Sequence, residues 1–167
     1  TLVREGDFIF LDSSTTAFYL ARRIRQGSFS ELTLMTNSIL IIQEFHLFPP
    51  HLQLLAVGGR YHPQLHSLLG RASLDALREL HPRRLFFSAA AVHPARGITS
   101  FHEDHAEFLA ALLPRCEEKI LLLDSSKFDQ EGLFRLADLS AVDVLVTDEG
   151  LAPARRARYA AAVRRIL

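Results

Sequence analysis

Four hydroxyl side chains in a row, Ser13-Ser14-Thr15-Thr16, follow Asp12 at the point where an apolar run gives way to a helical pattern. Such a turn offers backbone N–H groups and hydroxyls to a phosphate dianion, and the dipole of the helix behind it adds favourable charge. The same residues also serve as a helix cap, with Ser14 or Thr15 taking up the first free amides, and the two roles are compatible. Lys127 stands just beyond another apolar run, in Asp124-Ser125-Ser126-Lys127-Phe128. Its ammonium can reach back to a phosphate or sugar oxygen, although a lone loop lysine is otherwise solvated. Thr36-Asn37-Ser38 by itself reads as an ordinary cap, with Asn or Ser taking up the first N–H groups of the helix. Gly58-Gly59-Arg60 reads as a turn, or as backbone left bare for close approach of a ligand. Thr147-Asp148-Glu149-Gly150 closes the last such run.

These clusters act together only if the elements between them bring them together. Hydrophobic patterning predicts strands at residues 7–12, 31–35, 52–57, 84–90, 119–123 and 143–146. Helical spacing covers 15–26, the stretch after Ser38 through Phe45, 67–80, 102–113 and 154–166, while 128–139 suits either a helix or an extended run. Strand and helix in alternation imply an α/β fold, a mostly parallel sheet with helices on both faces. In such sheets ligands bind beyond the carboxyl ends of the strands, where helix N-termini point their free amides. The five polar clusters then converge on one rim.

Bulk properties narrow the function. The chain has 167 residues, 49% of them hydrophobic, enough for one domain spanning 1–167 with a full core. A formal net charge of zero argues against a surface that itself grips nucleic acid. The single cysteine, Cys116, forms no internal disulfide and fits a reducing, cytoplasmic compartment. No apolar stretch is long enough for a membrane helix, so no membrane partner is expected. The opening residues, Thr1 to Gly6, read as the tail of a helix capped by Gly6, which predicts further sequence upstream.

The ordered set D-S-S-T-T at 12–16, T-N-S at 36–38, G-G-R at 58–60 with Gly70 beyond, D-S-S-K-F at 124–128 and T-D at 147–148 resembles the C-terminal sensor domain of the DeoR family of bacterial transcriptional regulators. The resemblance covers nearly the whole chain. It implies a fold similar to ribose-5-phosphate isomerase, glucosamine-6-phosphate deaminase and the coenzyme A transferases. It implies a phosphorylated sugar as effector, no cofactor, a homo-oligomer, and DNA contact through an N-terminal helix-turn-helix domain absent from this chain. On this basis the phosphate falls to Ser13, Ser14, Thr15 and Thr16, hydroxyl contacts to Asp12 and Asn37, and close backbone to Gly58 and Gly59. Thr36, Ser38, Arg60, Lys127 and Asp148 complete the candidate site. The family usually has glycine where this chain has Ser14, and a glycine there permits a positive φ that serine tolerates poorly; a reshaped loop is therefore expected. Residues 89–99 occupy the place of a glycine-containing loop, matched clearly only by Gly97.

Other signals have blander explanations. His62 and His66, with His102, Glu103 and His105, lack diagnostic metal-ligand spacing, and Pro63 interrupts the first pair. Arg155, Arg156, Arg158, Arg164 and Arg165 share a helical stretch with Tyr159, Val163 and Ile166, which makes them a solvated face. Phe45, Leu47, Phe48 and Pro49 form either a subunit patch or the end of a buried helix. Two other function classes stay open. One is a sugar-phosphate isomerase or deaminase using a carboxylate among Asp12, Glu103, Asp104, Asp124 and Asp148 as base. The other is a structural domain that has lost its ligand.

Overall fold

The computed structural model describes residues 2–167. Its centre is a four-residue apolar run, Phe8–Leu11 (β1), whose side chains point alternately to two cores. Ile9 and Leu11 join one cluster with Ala17, Ala21 and Ile24 of the first helix, α1 (Thr15–Arg25), and with Ile41 of α2 (Ile39–Glu44). Phe10 joins the other, with Leu77 of α3 (Arg71–Leu77), Phe108 and Leu109 of α4 (Glu103–Leu112), and Tyr159 of α5 (Pro153–Ala160). A strand apolar on both faces belongs inside a covered parallel sheet. Helices therefore lie on both sides.

The remaining strands of that sheet are β2 (Thr33–Thr36), β3 (Gln53–Ala56), β6 (Arg84–Phe87), β9 (Glu118–Leu122), β11 (Val144–Val146) and β12 (Arg165–Ile166). The order is β12-β11-β9-β6-β1-β2-β3, and every neighbouring pair is parallel. Two smaller pieces flank it. One is a hairpin of β4 (Arg60–His62) and β5 (Ser67–Leu69); the other is an antiparallel sheet of β7 (Ala91–His93), β8 (Gly97–Ser100) and β10 (Phe134–Ala137). At the amino ends of β1, β6 and β9, buried Arg84 pairs with buried Asp7 and, at 2.7 Å, with Glu118. Among the described residues no helix is long and apolar enough to cross a membrane.

Four expectations change. Residues 67–80 are not one helix: Ser67–Leu69 is a strand, and α3 starts only after Gly70, whose φ is +89°. Tertiary bonds override the helical spacing there, since the carbonyl of Asn37 accepts from Leu68 N–H at 2.8 Å and that of His66 from Ile39 N–H at 2.8 Å. The last helix stops at Ala160, and Arg165–Ile166 returns as an edge strand on β11. The ambiguous stretch 128–139 is extended around β10, which pairs with β8. Finally, residues 2–6 hold a turn rather than a helix tail, with Gly6 N–H donating to the Glu31 carbonyl at 2.7 Å. Thr1 lies outside the described residues.

Candidate ligand-binding site

The carboxyl ends of β1 and β6 adjoin, because the two strands pair in register from Ile9↔Arg84 to Leu11↔Phe86. Asp12, the first residue past β1, is buried between them and accepts from Ser14 N–H at 3.0 Å, Ser14 Oγ at 2.5 Å and Ser88 N–H at 2.8 Å. Burial pushes its carboxyl up to about 6, against the opposing pull of those donors and of the Lys127 charge. Ser14 caps α1, accepting from Ala17 N–H at 3.1 Å, with φ −71° and ψ 152°. That is ordinary extended backbone, so serine sits here unstrained. With Ser14 N–H committed to Asp12, the hydroxyls of Ser13 and Thr15 and the first amides of α1 make up the donor set of this turn.

Above this turn lies a cavity of about 330 Å³. Ser13, Ser14 and Thr15 line one part of it, together with Lys127. The loop that carries the lysine is held by two carboxylates. Asp148 accepts from Ser125 N–H at 2.8 Å and Gly150 N–H at 2.7 Å, and Asp124 accepts from Ser126 N–H at 3.2 Å and lies 3.4 Å from Lys127 Nζ. The Ser125 and Gly150 amides hold the Asp148 carboxyl below its usual range. For Asp124, burial pushes upward but is outweighed by the Ser126 hydroxyl and Lys127, so its carboxyl also lies low. Behind the loop, Phe128 packs edge-on against Tyr159 with ring centroids 4.7 Å apart.

Several residues expected at the site do not line this cavity; they build its surroundings. Thr36 donates its hydroxyl to the Leu11 carbonyl at 2.6 Å and accepts from Ser38 N–H at 3.0 Å, while Ser38 caps α2. Asn37 is buried and donates to Ser67 Oγ at 2.9 Å and the Leu68 carbonyl at 3.2 Å, tying the β4–β5 hairpin to the sheet. The Gly58 carbonyl accepts from Ser73 Oγ at 2.6 Å. A Cβ on Gly59 would fall 2.0 Å from Ser73 Oγ and 2.7 Å from the Leu69 carbonyl, so the bare backbone serves close packing against residues 69–73. Arg60 is exposed and pairs with Asp104 at 2.5 Å. Thr16 faces a separate apolar cleft beside Tyr19, Leu20 and Phe86. Asp12 acts from behind the lining, and Asp148 is exposed and holds the loop that carries Lys127.

Other lining residues were not in the expected set. The hairpin turn contributes Gln64, Leu65 and His66. Ser88 follows β6 and is buried, and its Oγ has no hydrogen-bond partner. The rule that polar residues after strands point to the rim reaches Ser88 as well, but Ala89, Ala90 and Ala91 beside it mask the signal. Ser100, Phe101, His102 and His105 come from the end of β8 and the start of α4. His105 Nδ1 lies 3.1 Å from Ser100 Oγ; burial, then the neighbouring His102 and His62, lower its imidazole to about 4. Among the described residues no group of three or more His, Cys, Asp or Glu is arranged to hold a metal ion. No carboxylate lines the cavity among the described residues either, and Lys127 is its one formally charged side chain. An anion is the ligand such a lining favours.

Comparison with known proteins identifies the family. The chain matches the DeoR C terminal sensor domain over residues 1–149. It is 34% identical over 150 residues to the lactose phosphotransferase system repressor of Streptococcus mutans, covering 88% of this chain and 57% of that protein. It is 27% identical over 147 residues to the L-fucose operon activator of Escherichia coli K12, covering 88% and 59%. The chain thus spans little more than half the length of the relatives it matches. Among solved structures, ribose 5-phosphate isomerase from Plasmodium falciparum is similar with a TM-score of 0.51 at 15% identity, over 78% of this chain and 48% of that one. That likeness shows a shared fold. The family match is to a sensor domain. This chain belongs to the DeoR C-terminal sensor domain family, as a ligand-sensing domain rather than an enzyme.

Proposed function

We propose that the cavity receives the phosphate ester of a small sugar, with the phosphate at Ser13–Thr15 and Lys127. The observation that carries this reading is one cavity combining a helix N-terminus and a single cation, with no carboxylate among the described lining residues. A dianion satisfies all of these at once. The relatives named for a lactose phosphotransferase system and a fucose operon support a sugar-linked effector. In the whole protein, effector binding shifts the balance between DNA-bound and released states through differential affinity. DNA contact belongs to a helix-turn-helix domain outside residues 1–167, since this chain carries no net charge. Self-association is part of the same reading and is supported by the open edge strand β3, where Leu55 is exposed.

Isothermal titration with inorganic phosphate and a panel of sugar phosphates tests the assignment. Lys127→Met is expected to weaken ester binding at least about tenfold, the loss of one charge-assisted contact. Absence of binding across the panel refutes the reading.

A further inference from the structure

The cavity has a second set of polar groups, contributed by β8 and α4, that the phosphate does not use. Ser100 Oγ accepts from His102 N–H at 3.1 Å and lies 3.1 Å from His105 Nδ1. With one lone pair taken by that amide, the hydroxyl proton is free to be donated, and His105 Nδ1 is the acceptor within reach. In the tautomer whose Nδ1 accepts the Ser100 hydroxyl, the imidazole proton is on Nε2, an N–H donor on a residue that lines the cavity. We propose that His105 reads an oxygen at the non-phosphate end of the effector, and that the cavity selects hydroxyl- or carbonyl-bearing phosphate esters over amino-sugar phosphates.

The discrimination follows from what the lining lacks as much as from what it holds. An ammonium group presents only donors, so it cannot accept from His105 Nε2–H. It also finds no carboxylate among the described lining residues and shares the cavity with Lys127. Protonation does not rescue the fit, because His105 is surrounded by imidazoles rather than acids. His62 from β4 and His102 stack edge-on at 5.1 Å between centroids, and both disfavour a charge on His105, which is held at about 4. A hydroxyl or carbonyl oxygen, in contrast, accepts the Nε2 proton directly. A site built around a hydrogen bond rejects the analogue that cannot make it, because the buried donor is left unpaired.

The inference rests on the phosphate reading, and the experiment separates the two. Titrations compare inorganic phosphate, hexose 6-phosphates and the matched 2-amino-2-deoxyhexose 6-phosphates on wild type, His105→Phe and His105→Gln. The expected result is that at least one hydroxylated ester binds at least about tenfold more tightly than both inorganic phosphate and its amino counterpart. His105→Phe abolishes that increment while leaving inorganic phosphate within about twofold, and His105→Gln, which keeps an N–H donor, restores part of it. If phosphate binds but the amino esters bind equally well, or if His105→Phe lowers phosphate and ester affinity alike, selection by His105 is wrong and the phosphate site stands. If wild type binds neither phosphate nor any ester, both fall. Proton–nitrogen correlation spectra of the imidazoles give a readout that needs no ligand: an Nδ1–H tautomer for His105 overturns the proposal, and the Nε2–H tautomer, lost in Ser100→Ala, supports it.

Discussion

Burial displaces Asp12 and His105 from their ordinary ionisation in opposite directions, and stability should record both. Asp12 titrates near 6 in the folded chain against 3.8 ordinarily. Below pH 6 the folded state therefore holds a proton that the unfolded state does not, and this group stabilises the fold as pH falls. His105 titrates near 4 against 6.5. Below pH 6.5 the unfolded state takes up a proton that the folded state refuses, so this group destabilises as pH falls. From pH 6.5 to 5 the contribution is about 1 kcal/mol for Asp12 and about 1.5 kcal/mol for His105, and the two oppose. Asp12→Asn should leave a profile that loses stability on acidification relative to wild type, and His105→Gln one that gains it, measured by denaturant unfolding across that window. Parallel profiles for all three proteins would show that neither group is perturbed. At this scale the sequence was partly legible. A run of hydroxyls after an apolar strand announces Ser13 to Thr15, and D-S-S-K announces Lys127. Nothing local announces Ser88, whose role depends on β6 lying beside β1, or His105, whose neighbours come from two other elements.

Between residue and molecule, short polar motifs turn out to be joints. Asn37 holds the β4–β5 hairpin to the end of β2 through two bonds, to Ser67 and Leu68. Asn37→Ala should cost about 1–3 kcal/mol of stability. It should also weaken ester binding, because the hairpin carries Gln64, Leu65 and His66 into the cavity. Gly59→Ala meets Ser73 Oγ and the Leu69 carbonyl at distances no Cβ tolerates, and a loss of about 1–3 kcal/mol is expected from the forced backbone shift. Thermal melts of both variants measure these losses. The alternation of strands and helices along the main sheet could be read from apolar runs and their periodicity, because each core strand is contiguous and buried on both faces. The hairpin could not. Residues 67–69 carry helical spacing into α3, and only pairing with β4 just upstream, in register from Arg60↔Leu69 to His62↔Ser67, makes them a strand. The two-residue strand β12 escaped for the same reason: Arg165–Ile166 has no pattern of its own and exists by its bonds to β11.

Across the whole molecule the two ends of the sheet divide the labour. The segments after β1, β6 and β9 meet at the cavity, while the amino ends of the same strands are tied by Arg84 between Asp7 and Glu118. Removing one partner of a buried pair leaves the other charge uncompensated, so Arg84→Met should lose about 3–5 kcal/mol. Ester affinity, measured well below the melting temperature, should stay close to that of wild type. A large affinity loss in the folded variant would show that the two rims are coupled. The cavity wall is drawn from segments scattered between residues 13 and 127, more than a hundred positions apart along the chain. An occupant touching all of them acts as a cross-brace between early and late parts of the polypeptide. Its presence should therefore slow amide exchange in the β4–β5 hairpin and the β8–α4 junction together, even though those two stretches belong to different sheets.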